Sequence, residues 1–224
     1  MSPPVKIDVW SDIACPWCYI GKRNLETGVA AFAERPGAPA VDVEFHSFEL
    51  APDTPVDFAG SERDFLMVHK GLPDEQVGQM LDHVAGIARL VGLDYDFDAV
   101  QHTNTVKAHQ LLHYAKARGV QAEAAERLMR AYFVEGRHIG RVDDLAELAA
   151  EIGLDRDDVV RSLRTDEYLA AVRADQRQAA AYGIRGVPFF VIDRRYGVEG
   201  AQPAEAFARA LAQVAADRGA AARS

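Results

Sequence analysis

Cysteine is nearly absent: the 224-residue chain has two. A structural zinc site normally wants four Cys or His ligands, and no second cysteine pair is there to complete one. Positive charge is not in excess either. Lys plus Arg is 25 against 34 Asp plus Glu, a formal net charge of −9, the wrong sign for a general nucleic-acid binder that must displace phosphate counterions. No apolar run approaches the roughly 18 to 20 residues of a membrane span, and residues 1–6 lack the apolar core of a secretory signal. Internal repeats and low-complexity segments are missing, beyond alanine-rich helical surface. What is left, 49% apolar and 26% charged residues, is a composition that buries a core. The length, about one and a half typical domains, predicts one domain carrying an insertion. The expected setting is cytoplasmic and reducing, with neither nucleic acid nor membrane as a partner.

The two cysteines stand as Cys15-Pro16-Trp17-Cys18. A disulfide closing so short a loop removes little unfolded-state entropy, on the order of 2 kcal/mol, and structural bridges persist poorly in a reducing compartment. A dithiol that cycles is the better reading. Val5, Ile7 and Val9 alternate with Lys6, Asp8 and Trp10, a strand pattern. After the motif, Cys18, Leu25, Val29 and Phe32 fall on one helical face until Pro36, Gly37 and Pro39 stop the helix. Cys15 is thereby placed at a helix N-terminus, where unpaired backbone N–H groups and the helix dipole favour a thiolate. Pro16 suits the first helical position because it has no N–H to lose. Cys15 is expected to be the exposed nucleophile with a depressed pKa, and Cys18 the shielded thiol that resolves a mixed disulfide.

Val41, Val43 and Phe45 mark a second strand, and residues 59–182 read as helical almost throughout. The clearest case is Val77, Met80, Leu81, Val84, Ile87, Ala88 and Val91 after Pro73. Further helices are expected to end at Gly136, Gly153 and Gly183. Strand character returns over residues 187–192 and 196–198. A last helix opens after Gly200-Ala201-Gln202-Pro203, with Phe207, Leu211 and Val214 on one face and a frayed tail from Gly219. The order is strand–helix–strand, a long helical stretch, then strand–strand–helix. It divides the chain into one interrupted sheet domain, residues 1–58 and 184–224, and a helical insertion, residues 59–183.

The string Asp12-Ile13-Ala14-Cys15-Pro16-Trp17-Cys18-Tyr19-Ile20-Gly21-Lys22 resembles the FrnE-like dithiol–disulfide oxidoreductases. So do Asn104-Thr105-Val106-Lys107-Ala108-His109 and the segment Gly200-Ala201-Gln202-Pro203. With Gly186-Val187-Pro188-Phe189-Phe190, the whole chain looks like the DsbA-like form of the thioredoxin fold. The resemblance implies an α/β thioredoxin fold with a large all-helical insertion. It also implies a cis Pro188 opposite the dithiol, with Val187 presenting its backbone to an extended substrate. Asn104 and His109 would then line the cleft facing Cys15. Kappa-class glutathione transferases and 2-hydroxychromene-2-carboxylate isomerases resemble the same fold but usually carry serine where Cys15 stands. The second cysteine pair of some FrnE-like proteins is missing, which excludes an internal disulfide relay.

Trp17, between the cysteines, would tune the dithiol and offer apolar surface. Asp12 and Asp8 are candidate proton acceptors if buried beneath Cys18, although a pre-motif Asp is more often a cap. His109 and His113 share a helical face, but their string lacks the glutamate of a zinc-protease motif, so no metal site is expected. Ala201 and Gln202, at a helix N-terminus, offer N–H groups able to hold a carboxylate such as that of glutathione. The leading expectation is a thiol–disulfide oxidoreductase or isomerase acting on disulfide-containing proteins or small-molecule thiols. It needs no cofactor beyond glutathione as a possible co-substrate. The alternatives are a glutathione-dependent isomerase or transferase and a non-enzymatic peptide-binding or chaperone module.

Overall fold

In the computed structural model, which describes residues 3–221, a four-stranded sheet in the order β2-β1-β3-β4 carries the molecule. β1 (Val5–Ser11) and β2 (Val41–Ser47) run parallel in register from Val5↔Val41 to Ser11↔Ser47. They are joined by the crossover helix α1 (Pro16–Ala33). β3 (Phe189–Ile192) pairs antiparallel with the other edge of β1, and β4 (Tyr196–Glu199) completes a hairpin with it. The hairpin turns through Asp193 and Arg194, both at φ 54°, the left-handed geometry that matches strand twist.

β1 lies centrally, paired along both edges, with one apolar face and an opposite face of Lys6, Asp8 and Trp10. Val5, Ile7 and Val9 are buried on one side, where Phe190 and Ile192 join them under α9 (Ala204–Ala221). Phe190 meets Phe207 of α9 edge-on at 4.7 Å. α1 and α9 touch closely because Gly28 leaves no Cβ between them: a methyl there would lie 2.6 Å from Ala204 O. On the opposite face Trp10 packs with Ala179 and Ile184, stacks on His46 at 4.6 Å, and donates its indole N–H to Asp175 O.

Seven helices lie between β2 and β3: α2 (Glu62–Lys70), α3 (Asp74–Leu90), α4 (Val106–Lys116), α5 (Gln121–Phe133), α6 (Val142–Ala150), α7 (Arg156–Arg164) and α8 (Leu169–Ala181). α5 closes the free edge of β2 with one side chain. The Gln121 amide accepts from Phe45 N at 3.0 Å and donates to Phe45 O at 2.9 Å, satisfying an edge that would otherwise recruit another strand. α5 also holds α1, since Glu126 accepts from Tyr19 OH, Arg23 and the buried Lys22.

Two sequence expectations need correction. The helical stretch is broken at residues 91–105: Gly92 ends α3 at φ 77°, and the segment is tied across to α5 through Asp96 N to Phe133 O, 2.8 Å. α9 does not fray at Gly219 but runs through Ala221; the rest of the expected tail lies outside the described residues.

Candidate active site

Cys15 is the N-cap of α1, in extended backbone at φ −94° and ψ 113°, with Pro16 opening the helix. No side chain caps this end; Pro16 has no N–H and Cys18 N is taken by Cys15 O at 3.0 Å, which leaves the Trp17 N–H to face an anion. The Cys15 thiol points to Val187 O at 3.7 Å, and the Val187-Pro188 peptide bond is cis. Two further contacts fix the helix head. Gly21 leaves room for the proline ring, since a Cβ would sit 3.0 Å from Pro188 Cγ and 3.5 Å from Ala201 Cα. From the other side Tyr95, on the non-helical segment 91–105, donates its hydroxyl to Pro16 O at 2.8 Å.

Cys15 was expected to be exposed, and it is not: 4% of its surface is accessible, against 2% for Cys18 and 37% for Trp17. The Val187-Pro188 loop covers the sulfur, and approach is through a cleft of about 360 Å³ whose walls include Cys15, Pro16, Trp17 and Val187. Both cysteines are free thiols. Burial, and then the adjacent Cys15, push the Cys18 thiol well above its ordinary value. It therefore waits as a protonated thiol.

Asp12 lies on the cleft wall but is fully engaged. One carboxylate oxygen accepts from Leu50 N at 2.8 Å, the other from Ala14 N at 3.4 Å, and His109 Nε2 stands 3.3 Å from it. Burial opposes ionisation of Asp12, yet His109 and the Leu50 N–H outweigh it and hold the carboxyl below its usual value. That is the signature of a structural acceptor rather than a base. His109 is wholly buried behind it, not on the cleft wall. Asn104 is not there either. Its amide donates to Pro52 O at 2.9 Å and accepts from Val106 N at 2.9 Å, tying the loop after β2 to the head of α4.

Asp8 is remote from the dithiol. It meets His46 Nε2 at 3.0 Å on the other face of the sheet. There the donor atoms of Asp8, Glu44 and His46 converge within 4.8 Å, but Glu44 is already bound by Lys6 and Lys116, so the cluster is an ion-pair lattice. His113, four residues from His109, turns to Asp175 and Ser47 instead. Ala201 sits against Gly21. The Gln202 backbone N–H is taken by Gly200 O at 2.9 Å, while its side chain donates to Glu199 O, so that backbone N–H is not free for a carboxylate.

Sequence reading missed Tyr95 and a buried trio in the cleft region, Glu62, His102 and Tyr132. Glu62 Oε2 accepts from Tyr132 OH at 3.1 Å and lies 2.8 Å from His102 Nδ1. No local spacing announces either feature, because their partners lie tens of residues away.

The site thus holds a thiol on the N-cap residue of α1, a second shielded thiol one turn on and a cis-proline loop beside the sulfur. The model of the DSBA-like thioredoxin domain matches residues 6–212. The chain belongs to that family. Within the DSBA-like family it is similar to the crystal structure of the probable DsbA oxidoreductase SCO1869 from Streptomyces coelicolor. That match is 42% identical over 93% of this chain and 89% of the other, with a TM-score of 0.85. The uncharacterized protein YwbO of Bacillus subtilis (strain 168) is 31% identical over 213 residues, 92% of this chain and 96% of its own. The cytosolic disulfide reductase DsbM from Pseudomonas aeruginosa shares the DSBA-like fold at 24% identity and a TM-score of 0.66, covering 93% of this chain and 98% of its own. No described helix is long and apolar enough to cross a membrane.

Proposed function

We propose that this DSBA-like chain is a thiol–disulfide oxidoreductase in which Cys15 attacks and Cys18 resolves. The Cys15 thiolate displaces one sulfur of a substrate disulfide, forming a Cys15–substrate bond, and the released thiolate takes up a proton. Cys18 then loses its proton and attacks Cys15 Sγ. The intramolecular disulfide forms, the second substrate thiol leaves, and two electrons have passed to the substrate. The reverse sequence oxidises a dithiol. The electrons reside on sulfur throughout, so the dithiol needs no further redox group. Val187 and Pro188 form the face against which the attacked disulfide lies, and Trp17 gives the substrate exposed apolar surface. Asp12 acts by position: it ties the loop at Leu50 and the α4 histidine to the motif.

The observation that carries this reading is the Cys15 thiol at the uncapped head of α1, 3.7 Å from Val187 O at the edge of an open cleft. Turnover of a small disulfide in the presence of a thiol reductant tests it. Cys15→Ser is expected to abolish turnover and Cys18→Ser to accumulate a mixed disulfide visible by mass spectrometry. Full turnover by Cys15→Ser would sink the proposal. The reduction potential of the couple against glutathione then separates an oxidant or isomerase, above the cytosolic poise, from a reductase at or below it.

A further inference from the structure

The cleft that leads to Cys15 is apolar along Phe65, Leu66, Met80, Leu81 and Phe97, and Glu62 is set into the same lining. Glu62 is the first residue of α2, whose start is pinned by a capping box between Ser61 and Asp64. Its place is therefore fixed by helix backbone rather than by a loose loop. The two carboxylate oxygens are used differently. Oε2 is held by Tyr132 OH and His102 Nδ1, and His102 is itself locked by stacking on Phe65, 3.6 Å between ring centres. Oε1 accepts no hydrogen bond among the described residues, and it is not sealed away from the cleft. An acceptor open to the cleft is hydrated in the free protein. A ligand that displaces that water along the apolar wall and brings a donor restores the hydrogen bond, and one that lacks a donor loses it.

We propose that Glu62 is the specificity residue of the dithiol cleft: its Oε1 accepts a hydrogen bond from an ammonium or amide N–H carried by the thiol or disulfide substrate whose sulfur meets Cys15. The assignment rests on the thiol–disulfide reading above and names its substrate class. The favoured substrate has a nitrogen-bearing arm that runs from the sulfur along the apolar wall. An arm ending in a carboxylate is disfavoured at Glu62, although the exposed His69, Lys70 and His83 at the rim of the same cleft would attract it.

Glu62→Gln tests this because the network dictates how the amide must sit. With Tyr132 OH donating and His102 in the tautomer that carries its proton on Nδ1, the amide oxygen takes the place of Oε2 and the NH₂ group turns into the cleft. An acceptor becomes a donor at almost constant volume. The full chain is assayed for turnover of two matched series, bis(ω-aminoalkyl) and bis(ω-carboxyalkyl) disulfides of graded arm length. The wild type is expected to prefer the amino series at its best length, and Glu62→Gln to cut the amino-over-carboxyl preference by about tenfold, the worth of one charge-assisted hydrogen bond. An unchanged preference in a variant that melts with the wild type overturns the assignment.

A second measurement needs no change at Glu62. In Cys18→Ser trapped with the preferred aminoalkyl thiol, the ammonium nitrogen is expected about 3 Å from Glu62 Oε1; an ammonium directed elsewhere overturns the assignment equally. Failure of the wild type to turn over either series is a different result. It defeats the dithiol reading, and the role of Glu62 falls with it.

Discussion

At Gly21 a methyl group would lie 3.0 Å from Pro188 Cγ and 3.3 Å from Phe190 Cζ, whereas at Gly28 it would lie 2.6 Å from the backbone oxygen of Ala204. The two glycines are seven residues apart on one face of α1, yet their substitution should have different consequences. Gly21→Ala wedges the helix head away from the Val187-Pro188 loop. It is expected to cost about 1–3 kcal/mol and to slow disulfide turnover per folded molecule, because the Cys15 sulfur loses its register against Val187. Gly28→Ala strikes backbone that cannot swing aside. It should cost at least as much in stability while sparing turnover of the molecules that remain folded. Urea unfolding and a disulfide-turnover assay on the same samples separate the two; equal loss of turnover in both would refute the distinction. The placement of Cys15, Pro16 and Cys18 at the head of one helix is legible in the sequence, because it follows from local periodicity and the Pro signal. Gly21, Tyr95 and Glu62 are not, since each matters through a partner that only the tertiary fold brings near.

α4 shows the same limit at the scale of an element. His109 and His113 are one turn apart, and that spacing correctly places both on one helix, where both are buried. It does not reveal that His109 reaches Asp12 beside the dithiol while His113 reaches Asp175 on α8. A single helix thereby fastens the motif loop to the far side of the sheet. Asp12→Ala would strip acceptors from Ala14 N and Leu50 N and leave the His109 ring unpaired. The expected loss is about 3 kcal/mol, the scale for breaking a buried pair from one side, accompanied by faster proteolysis around Leu50. A variant as stable as the wild type would show that the His109 contact contributes nothing. The strands and α1, α3 and α9 were legible from period and from Pro or Gly stops. α2 and α7 were not picked out, being short helices whose apolar positions are too few to set a period. Residues 91–105 interrupt the helical stretch that the pattern predicts over 59–182, and Tyr95 and Phe97 there are half-buried without being helical.

Across the whole molecule, the pH dependence of folding should be governed on the side of the sheet away from α1. There Asp175 of α8 accepts from Ser47 N at 2.8 Å and meets His46 and His113 at 3.0 Å each, joining β2, α4 and α8. Burial opposes the Asp175 charge, but the two histidines and the Ser47 N–H outweigh it and hold the carboxyl far below its usual range. Burial likewise opposes a charged His46, and Asp175 and Asp8 outweigh it, raising the imidazole above 6.5. The signs then follow from linkage. A lowered carboxyl contributes stability that is complete above its unfolded value, near pH 4, and is lost as the pH falls further. A raised imidazole contributes stability that is complete below about pH 6.5 and is lost as the pH rises through its folded value. Stability should therefore be highest between about pH 4 and 6.5 as far as this network is concerned, with an acid limb and an alkaline limb. Asp175→Asn removes the lowered carboxyl itself and one of the acidic partners that raise His46, so the variant should be less stable at the plateau and flatter on both sides. Urea midpoints taken across that range decide the matter: an Asp175→Asn profile parallel to the wild type would place the titrating groups elsewhere in the fold. The dithiol sits across the sheet from this network, so the pH profile of stability and that of disulfide turnover should move independently in the variant.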